Sequence, residues 1–419
     1  MPLRYLFVDM NSFFASVEQQ LDPAIRGKPV AVVPLMARTT FCLAASYEAK
    51  AFGVKTGMAV WEAKQRCPGL ILRQAQHREY VIMHNRIVDA VGSVIPPQRI
   101  VSIDEMACKL VTSERRPEKV VKIAQAVKEA IYHRAGDQMH CSIGAGPNQI
   151  LAKMGSDFQK PNGLTVFGDD DLPHMLYSLP IEAFPGVGPR MAKRLRLHGI
   201  FTTEQFCAAP AQVFAAVWGS KLLGEKWYRT VRGEDVPEKE TLRRTVGHSH
   251  VLPPDLRTDA GAYGVLVRLT HKAVARLRRV GYWAGGVSIG VSYLGDPGTV
   301  AAPSGWGKAS WGAGCRFPHR QDTPGILRAV SDLWKNRPAG DAVPFKMGMV
   351  LTDLRPAASA TPSLFEADRK QAELSHAMDK VNAEFGSSVV HFGGMWGLKD
   401  AAPVRIAFTQ IPDFDRRVV

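Results

Sequence analysis

Three acidic side chains in two distant apolar runs give the first chemical signal in this sequence. Asp9 follows Tyr5-Leu6-Phe7-Val8, and Asp104-Glu105 lies between Val101-Ser102-Ile103 and Met106. Runs of this kind read as buried strands. Hydrocarbon disfavours an isolated carboxylate by several kcal/mol, so each acid needs a partner. If the two strands pair, three like charges meet. A hard divalent cation with oxygen ligands, such as Mg²⁺, answers that repulsion. A strand-end aspartate also serves as a turn or cap residue, and Asp-Glu pairs are common on surfaces, so the spacing leaves both readings open.

Phosphate-holding groups accompany the acids. Tyr47 and Lys50, three residues apart, share one helix face. A phenol beside an ammonium makes a phosphate clamp, although the same pair also suits an exposed surface. Lys160-Pro161-Asn162-Gly163 is a turn leading into a strand. Pro185-Gly186-Val187-Gly188, followed by Arg190, Lys193 and Arg194, has the form of a helix-hairpin-helix. Gly186 and Gly188 let the backbone approach a phosphate, which the next helix's N-terminal amides and its cations then meet. Any tight αα-hairpin uses glycines in the same way. A weaker second copy is Trp218 to Lys226.

The elements that must position these groups follow from the pattern. Residues 1–165 alternate loosely between strands and helices, an α+β arrangement with the acids on or just after strands. Residues 170–235 are mostly helical, and Pro237-Glu238-Lys239-Glu240 reads as a linker. From 243 the order is strand Arg244–Leu252, helix Ala260–Val280, strand Gly285–Tyr293, strand Lys308–Phe317, helix Thr323–Asn336 and strand Phe345–Leu354. That β-α-β-β-α-β order predicts a four-stranded sheet with two helices on one face. Arg244, His248, Lys308 and Arg316 on the free face would lie along a phosphate backbone. A loose linker at 356–363 and a helix Glu366–Phe385 complete the chain before an irregular tail.

Bulk properties agree. A chain of 419 residues exceeds one core and predicts two to four domains. The net charge of +14 suits a polyanion, nucleic acid before an anionic membrane surface. No apolar stretch approaches the roughly 20 residues that span a bilayer, and the N-terminus lacks a signal-peptide pattern. The six cysteines are scattered with no CxxC pair, which fits a reducing cytoplasm and argues against a zinc ribbon.

The layout as a whole resembles the Y-family (DinB/UmuC-type) translesion DNA polymerases. Five stretches carry the resemblance in the family's order: Val8-Asp9-Met10-Asn11-Ser12-Phe13-Phe14, Tyr47-Glu48-Ala49-Lys50, Ser102-Ile103-Asp104-Glu105, Lys160-Pro161-Asn162-Gly163 and Pro185-Gly186-Val187-Gly188. The resemblance implies a palm (1–24 and 79–168), small fingers (25–78), a helical thumb with the helix-hairpin-helix (169–236) and a little finger (243–355), followed by linker, helix and tail (356–419). It implies catalytic Asp9, Asp104 and Glu105, with the Met10 carbonyl as a further ligand to two Mg²⁺. Tyr47, Lys50 and Lys160 would hold the triphosphate of a dNTP. Of Phe13 and Phe14, the family register makes Phe14 the gate beneath the sugar that excludes a ribose 2′-OH. Gly186, Gly188, Lys193, Arg194, Arg244 and Arg316 would touch primer-template DNA.

Leu364 and Phe365 stand where the family often carries a sliding-clamp peptide, without its usual glutamine. Asn11 replaces an Asp common in relatives, and Lys50 replaces an Arg, which keeps the charge and loses bidentate geometry. The implied activity is low-fidelity, template-directed synthesis past damaged bases, by a monomer on DNA in the cytoplasm at the nucleoid. The competing readings are a non-catalytic, clamp-associated accessory protein of a mutagenesis complex and a Mg²⁺-dependent nuclease.

Overall fold

The computed structural model describes residues 1–38, 40–168, 170–237, 243–294, 309–337, 342–361, 363–386, 388–397 and Ile406. The chain forms two compact units: the first spans residues 1–237 and takes in Ile406, and the second spans 243–397. The first is built from β1 (Tyr5–Met10), α1 (Phe13–Leu21), β2 (Val30–Val33), β3 (Ala44–Ala45), α2 (Tyr47–Ala51), α3 (Val60–Arg66), β4 (Ile71–Gln74), α4 (His77–Gly92), β5 (Pro97–Ile100) and β6 (Glu105–Lys109). It continues with α5 (Pro117–Ala135), β7 (Cys141–Gly146), α6 (Gln149–Phe158), β8 (Leu164–Val166), α7 (Pro189–Leu197), α8 (Thr203–Ala208), α9 (Ala211–Trp218) and α10 (Lys221–Thr230).

Its main sheet has the order β5-β6-β1-β7-β8, with β1 antiparallel to both neighbours. Every residue of β1 is buried, as a central strand covered on both faces requires. Period-two alternation divides its side chains. Leu6, Val8 and Met10 join the large core that includes Tyr80, Ile87, Val127 and Ile131 of α4 and α5. Tyr5 and Phe7 point the other way and pack with Ala107 and Ala152 of α6. Asp9 shares their parity, so it faces the side that α6 covers.

A small sheet, β3-β2-β4, has its own core from Ala31, Val33, Ala49, Val60 and Cys67. Helices α7 to α10 close around Phe184, Phe206 and Phe214, against which Trp218 and Trp227 lie. Asn148 binds this helical segment to the sheet: its Nδ2 donates to the Thr230 and Glu234 carbonyls at 2.8 and 3.1 Å. The stretch from Trp218 is the tight turn between α9 and α10: Gly219 ends α9 in the left-handed conformation, the Ser220 side chain accepts from the Leu223 amide, and Gly224 packs on the backbone of α9 at Ala215.

The second unit contains β9 (Val246–Val251), α11 (Asp259–Arg279), β10 (Tyr282–Tyr293), β11 (Ala309–Arg320), α12 (Thr323–Lys335), β12 (Pro344–Pro356) and α13 (Glu366–Phe385). Its sheet order β11-β10-β12-β9 is antiparallel throughout. The core lies between one sheet face and α11 and α12. Val246, Val287, Ile289, Met347 and Met349 fix which parity faces the helices. That parity corrects the expected free face. His248 shares the side of Val246 and is half-buried toward Lys272 and Arg276 of α11. Arg244 precedes β9 and is exposed, and Lys308 lies outside the described residues. Arg316 does point outward from β11, on the face carrying Gly286, Ser288, Gly312 and Gly314. Among the described residues no helix is long and apolar enough to cross a membrane.

Candidate active site

The antiparallel register of β1 and β6 sets Asp9 directly opposite Glu105. Asp104 sits one residue before β6, and its carbonyl accepts the Met10 amide at 2.8 Å. The two acidic segments therefore converge. Asp9 is 5% exposed. Ser102 donates its hydroxyl to Asp104 Oδ1 at 2.5 Å and lies 3.3 Å from Glu105 Oε2. Behind this turn the buried His84 ring hydrogen-bonds the Ile103 carbonyl at 2.7 Å.

Burial dominates the electrostatics here. It raises the pKa of Asp104, which the nearby Asp9 charge raises further and the Ser102 hydroxyl opposes. Glu105 is also raised, by burial first, even though Lys153 pulls it down. Such groups lack full compensation for their charge.

Two ammoniums supply part of it. Lys153 of α6 pairs with Asp9 Oδ2, reaches Glu105 Oε1 at 2.8 Å and lies 3.5 Å from Asp157. Lys160 Nζ is 2.9 Å from Asp9 Oδ1 and 2.7 Å from Asp157 Oδ1. Burial pushes both lysine pKa values down, but the carboxylates, Asp9 foremost, outweigh it and hold both above the ordinary value. Consequently Asp9, Asp104 and Glu105 do not form a ready-made metal group. Among the described residues no three His, Cys, Asp or Glu side chains do. The reason is visible in the contacts: Lys153 lies between Asp9 and Glu105, and Ser102 holds Asp104. The site still fits a hard cation. Its donors are all carboxylate oxygens, two of the acids are raised by desolvation, and monovalent ammoniums stand where positive charge is needed.

The phosphate-holding groups gather next to the acids. Ser46 caps α2 by accepting the Ala49 amide, and Lys50 Nζ lies 4.3 Å above the Tyr47 ring, so the two share a face as their spacing required. Lys50 also donates to Ser12 Oγ at 2.7 Å. Its pKa is lowered by burial and then by the charge of Lys160; that of Tyr47 is raised by burial. Ser12 has φ 48°, a left-handed conformation that joins β1 to α1. Strain of this kind costs on the order of 1 kcal/mol and collects at functional sites.

The Lys160 turn is clamped from below. Asn11 Oδ1 accepts the Asn162 amide at 2.7 Å, and Asn11 Nδ2 donates to Ser142 Oγ at 3.1 Å. Asn11 thus has a structural role, tying the end of β1 to the Lys160 turn and to Ser142 of β7. Gly163 passes so close to Gln159 that a Cβ would meet the Gln159 carbonyl oxygen at 1.7 Å, which leaves glycine as the residue that fits.

Phe13 and Phe14 are both buried, at 3% and 9% exposure. Phe14 stacks on Tyr80 with centroids 4.6 Å apart and planes 24° apart, while Phe13 meets the same ring edge-on. The Tyr80 hydroxyl donates to Glu18 at 2.5 Å. Elsewhere, Gly186 adopts φ 97° with the Trp227 ring beside it, and Gly188 caps α7. Lys193 and Arg194 lie on that helix. Leu364 and Phe365, immediately before α13, are 94% and 74% exposed.

Lys153, Asp157, Tyr80 and His84 were not picked out by the sequence reading, and Ser102 stood there only as part of the Ser102–Glu105 stretch, without a role of its own. For the first two the sequence offered only part of a signal: Lys153 and Asp157 lie one turn apart on α6, and it is the packing of α6 over Asp9's side of β1 that gives the pair its place.

The sequence profile of the impB/mucB/samB family matches residues 8–157, its helix-hairpin-helix profile 169–200 and its C-terminal domain profile 243–364. Curated relatives include a DNA polymerase IV of Moorella thermoacetica, 33% identical over 92% of this chain and 94% of that protein. A DNA polymerase IV of Bacillus anthracis is 31% identical over 93% and 92%, and DNA polymerase IV 1 of Bacillus subtilis is 30% identical over 92% and 91%. Among solved structures, a Y-family DNA polymerase chimera (Dbh-Dpo4-Dbh) superposes with a TM-score of 0.68 at 23% identity, covering 84% of this chain and 98% of that one. An insertion ternary complex of Dbh DNA polymerase gives a TM-score of 0.55 at 24% identity over 83% and 98%. These two likenesses establish the multi-domain α+β fold.

Proposed function

The chain belongs to the impB/mucB/samB family, the Y-family of DinB/UmuC-type DNA polymerases, and we propose that the cluster around Asp9 is where it forms phosphodiester bonds. It is a DNA-directed DNA polymerase, a nucleotidyltransferase of the translesion kind that binds DNA and nucleotide. The accessory-protein reading is not favoured, because DNA polymerase IV relatives match over nine-tenths of the chain. One observation carries the assignment: the Asp9–Glu105 register brings two distant acidic segments together, with Asp104 alongside.

Members of this family depend on a metal. We assign two Mg²⁺ to Asp9, Asp104, Glu105 and the Met10 carbonyl, which would lower the pKa of a primer 3′-OH and neutralise the departing pyrophosphate. Tyr47, Lys50 and Lys160 hold the triphosphate; their convergence within hydrogen-bond reach of Ser12 and Asp9 supports this. Phe14 lies beneath the sugar as a flat wall without a hydrogen-bonding group, kept in plane by Tyr80. The palm, fingers, thumb and little-finger boundaries fit the element order, with the fingers on the small β3-β2-β4 sheet and the thumb on α7 to α10. Gly186, Gly188, Lys193, Arg194, Arg244 and Arg316 are assigned to primer-template DNA, Leu364 and Phe365 to a sliding clamp. We take the protein to act as a monomer on DNA at the nucleoid.

The test is primer extension. Asp104→Ala should lose activity well beyond the roughly 100-fold that removal of a supporting neighbour costs. Wild-type-level synthesis would overturn the assignment, and degradation of the labelled primer would indicate a nuclease.

A further inference from the structure

Both oxygens of Asp9 carry an ammonium: Lys153 on Oδ2 and Lys160 on Oδ1. A divalent cation entering at Asp9 is repelled by two ammoniums bonded to the same carboxylate, so its binding favours their withdrawal. Each already touches the same second carboxylate, Asp157, at 3.5 and 2.7 Å. The side chain of Asp157 is 45% exposed, against 7% for Asp9. It is therefore anchored at the mouth of the site rather than in it. Four carboxylates face two ammoniums here, Asp104 and Glu105 completing the acids.

Resting on the metal-site reading above, we propose that Asp157 is a positioning residue that receives Lys153 and Lys160 as a divalent cation takes Asp9. Its spacing suits both lysines, one turn after Lys153 and three residues before Lys160, so each can pivot on it without a change in the backbone. Asp157 lowers the free energy of clearing the acids in two ways. It gives the displaced ammoniums an ion pair, and it keeps them at the rim, where Lys160 faces an incoming triphosphate. Without it, the lysines' best remaining partners are Asp9 and Glu105, and they compete with the metal.

Calorimetric titration of the full-length protein with Mn²⁺ tests this without turnover. Asp157→Asn should weaken Mn²⁺ binding about fivefold, the size of a partly exposed charge pair. Asp157→Glu should restore it to within about twofold, and Lys153→Met should tighten it by removing a competitor. A melting temperature of Asp157→Asn close to wild type, measured without metal, separates positioning from misfolding. Unchanged Mn²⁺ affinity in Asp157→Asn, or no rescue by Asp157→Glu, overturns the proposal. If Asp104→Ala instead titrates like wild type, the metal site itself is misplaced and the inference falls with it.

Discussion

At the scale of single residues, acids inside apolar runs were easy to see because burial makes them costly. Asp9, Asp104 and Glu105 were legible on that ground. Lys153 and Asp157 were not, because a Lys and an Asp four apart on an amphipathic helix look like a solvated pair. Only the coverage of Asp9's face by α6 gives them meaning. Phe14 lies between these cases. Chain order allowed either phenylalanine at the proposed gate; Phe14 stacks face to face on Tyr80, whereas Phe13 meets Tyr80 by its edge, and that difference supports proposing Phe14. Phe14→Ala should therefore reduce discrimination between dNTP and rNTP on the order of 100-fold. Single-nucleotide incorporation with matched sugars measures it. Unchanged discrimination would move the gate to Phe13 or elsewhere. The substitution also removes a buried ring, at about 3 kcal/mol of stability, so the comparison belongs at a temperature where the variant is folded.

At the scale of elements, helices and strands with strong periodicity were legible to within a few residues. Helix α13 was expected at Glu366–Phe385 and is observed there. Short strands such as β4 and β5 were missed, being too brief for an alternation to register. Strand parity was the harder problem. His248 is polar, which suggested the free face, but Val246 and His250 on either side are buried and carry it toward α11. What precedes α13 can be tested directly. Asp368 accepts from Ser363 Oγ at 2.9 Å and from Arg320 at 3.1 Å, and Asp379 pairs with Arg278. The helix is thus tied to its own unit while Leu364 and Phe365 project outward. Paired apolar side chains held outside a core suit a hydrophobic groove on a partner. Replacing both with Ala should bring clamp-stimulated synthesis down to the unstimulated level, read as primer extension with and without clamp. Full stimulation by that variant would dismiss the assignment.

At the scale of the molecule, the two units carry separate cores and differ in how they respond to acid. Two histidines of the second unit are held neutral. His248 is pushed down to about 4 by burial, then by Lys272 and Arg276. His271 is likewise pushed down to about 4 by burial, then by Arg268, Arg278 and His391, with Asp379 opposing. Unfolding releases each ring to an ordinary value near 6.5. Between about pH 6.5 and 4 the unfolded chain therefore binds protons that the folded unit refuses, and stability falls as pH falls. Each half-buried ring contributes on the order of 2 kcal/mol to that loss once solvent screening is allowed for. The raised Asp104 and Glu105 belong to the first unit, where they act with the opposite sign. Denaturant melts at pH 7.5 and 5 should thus show the second unit's transition shifting down, and His248→Gln should recover about half of the shift. A variant that loses as much stability as wild type between the two pH values would show that the buried rings are not its source.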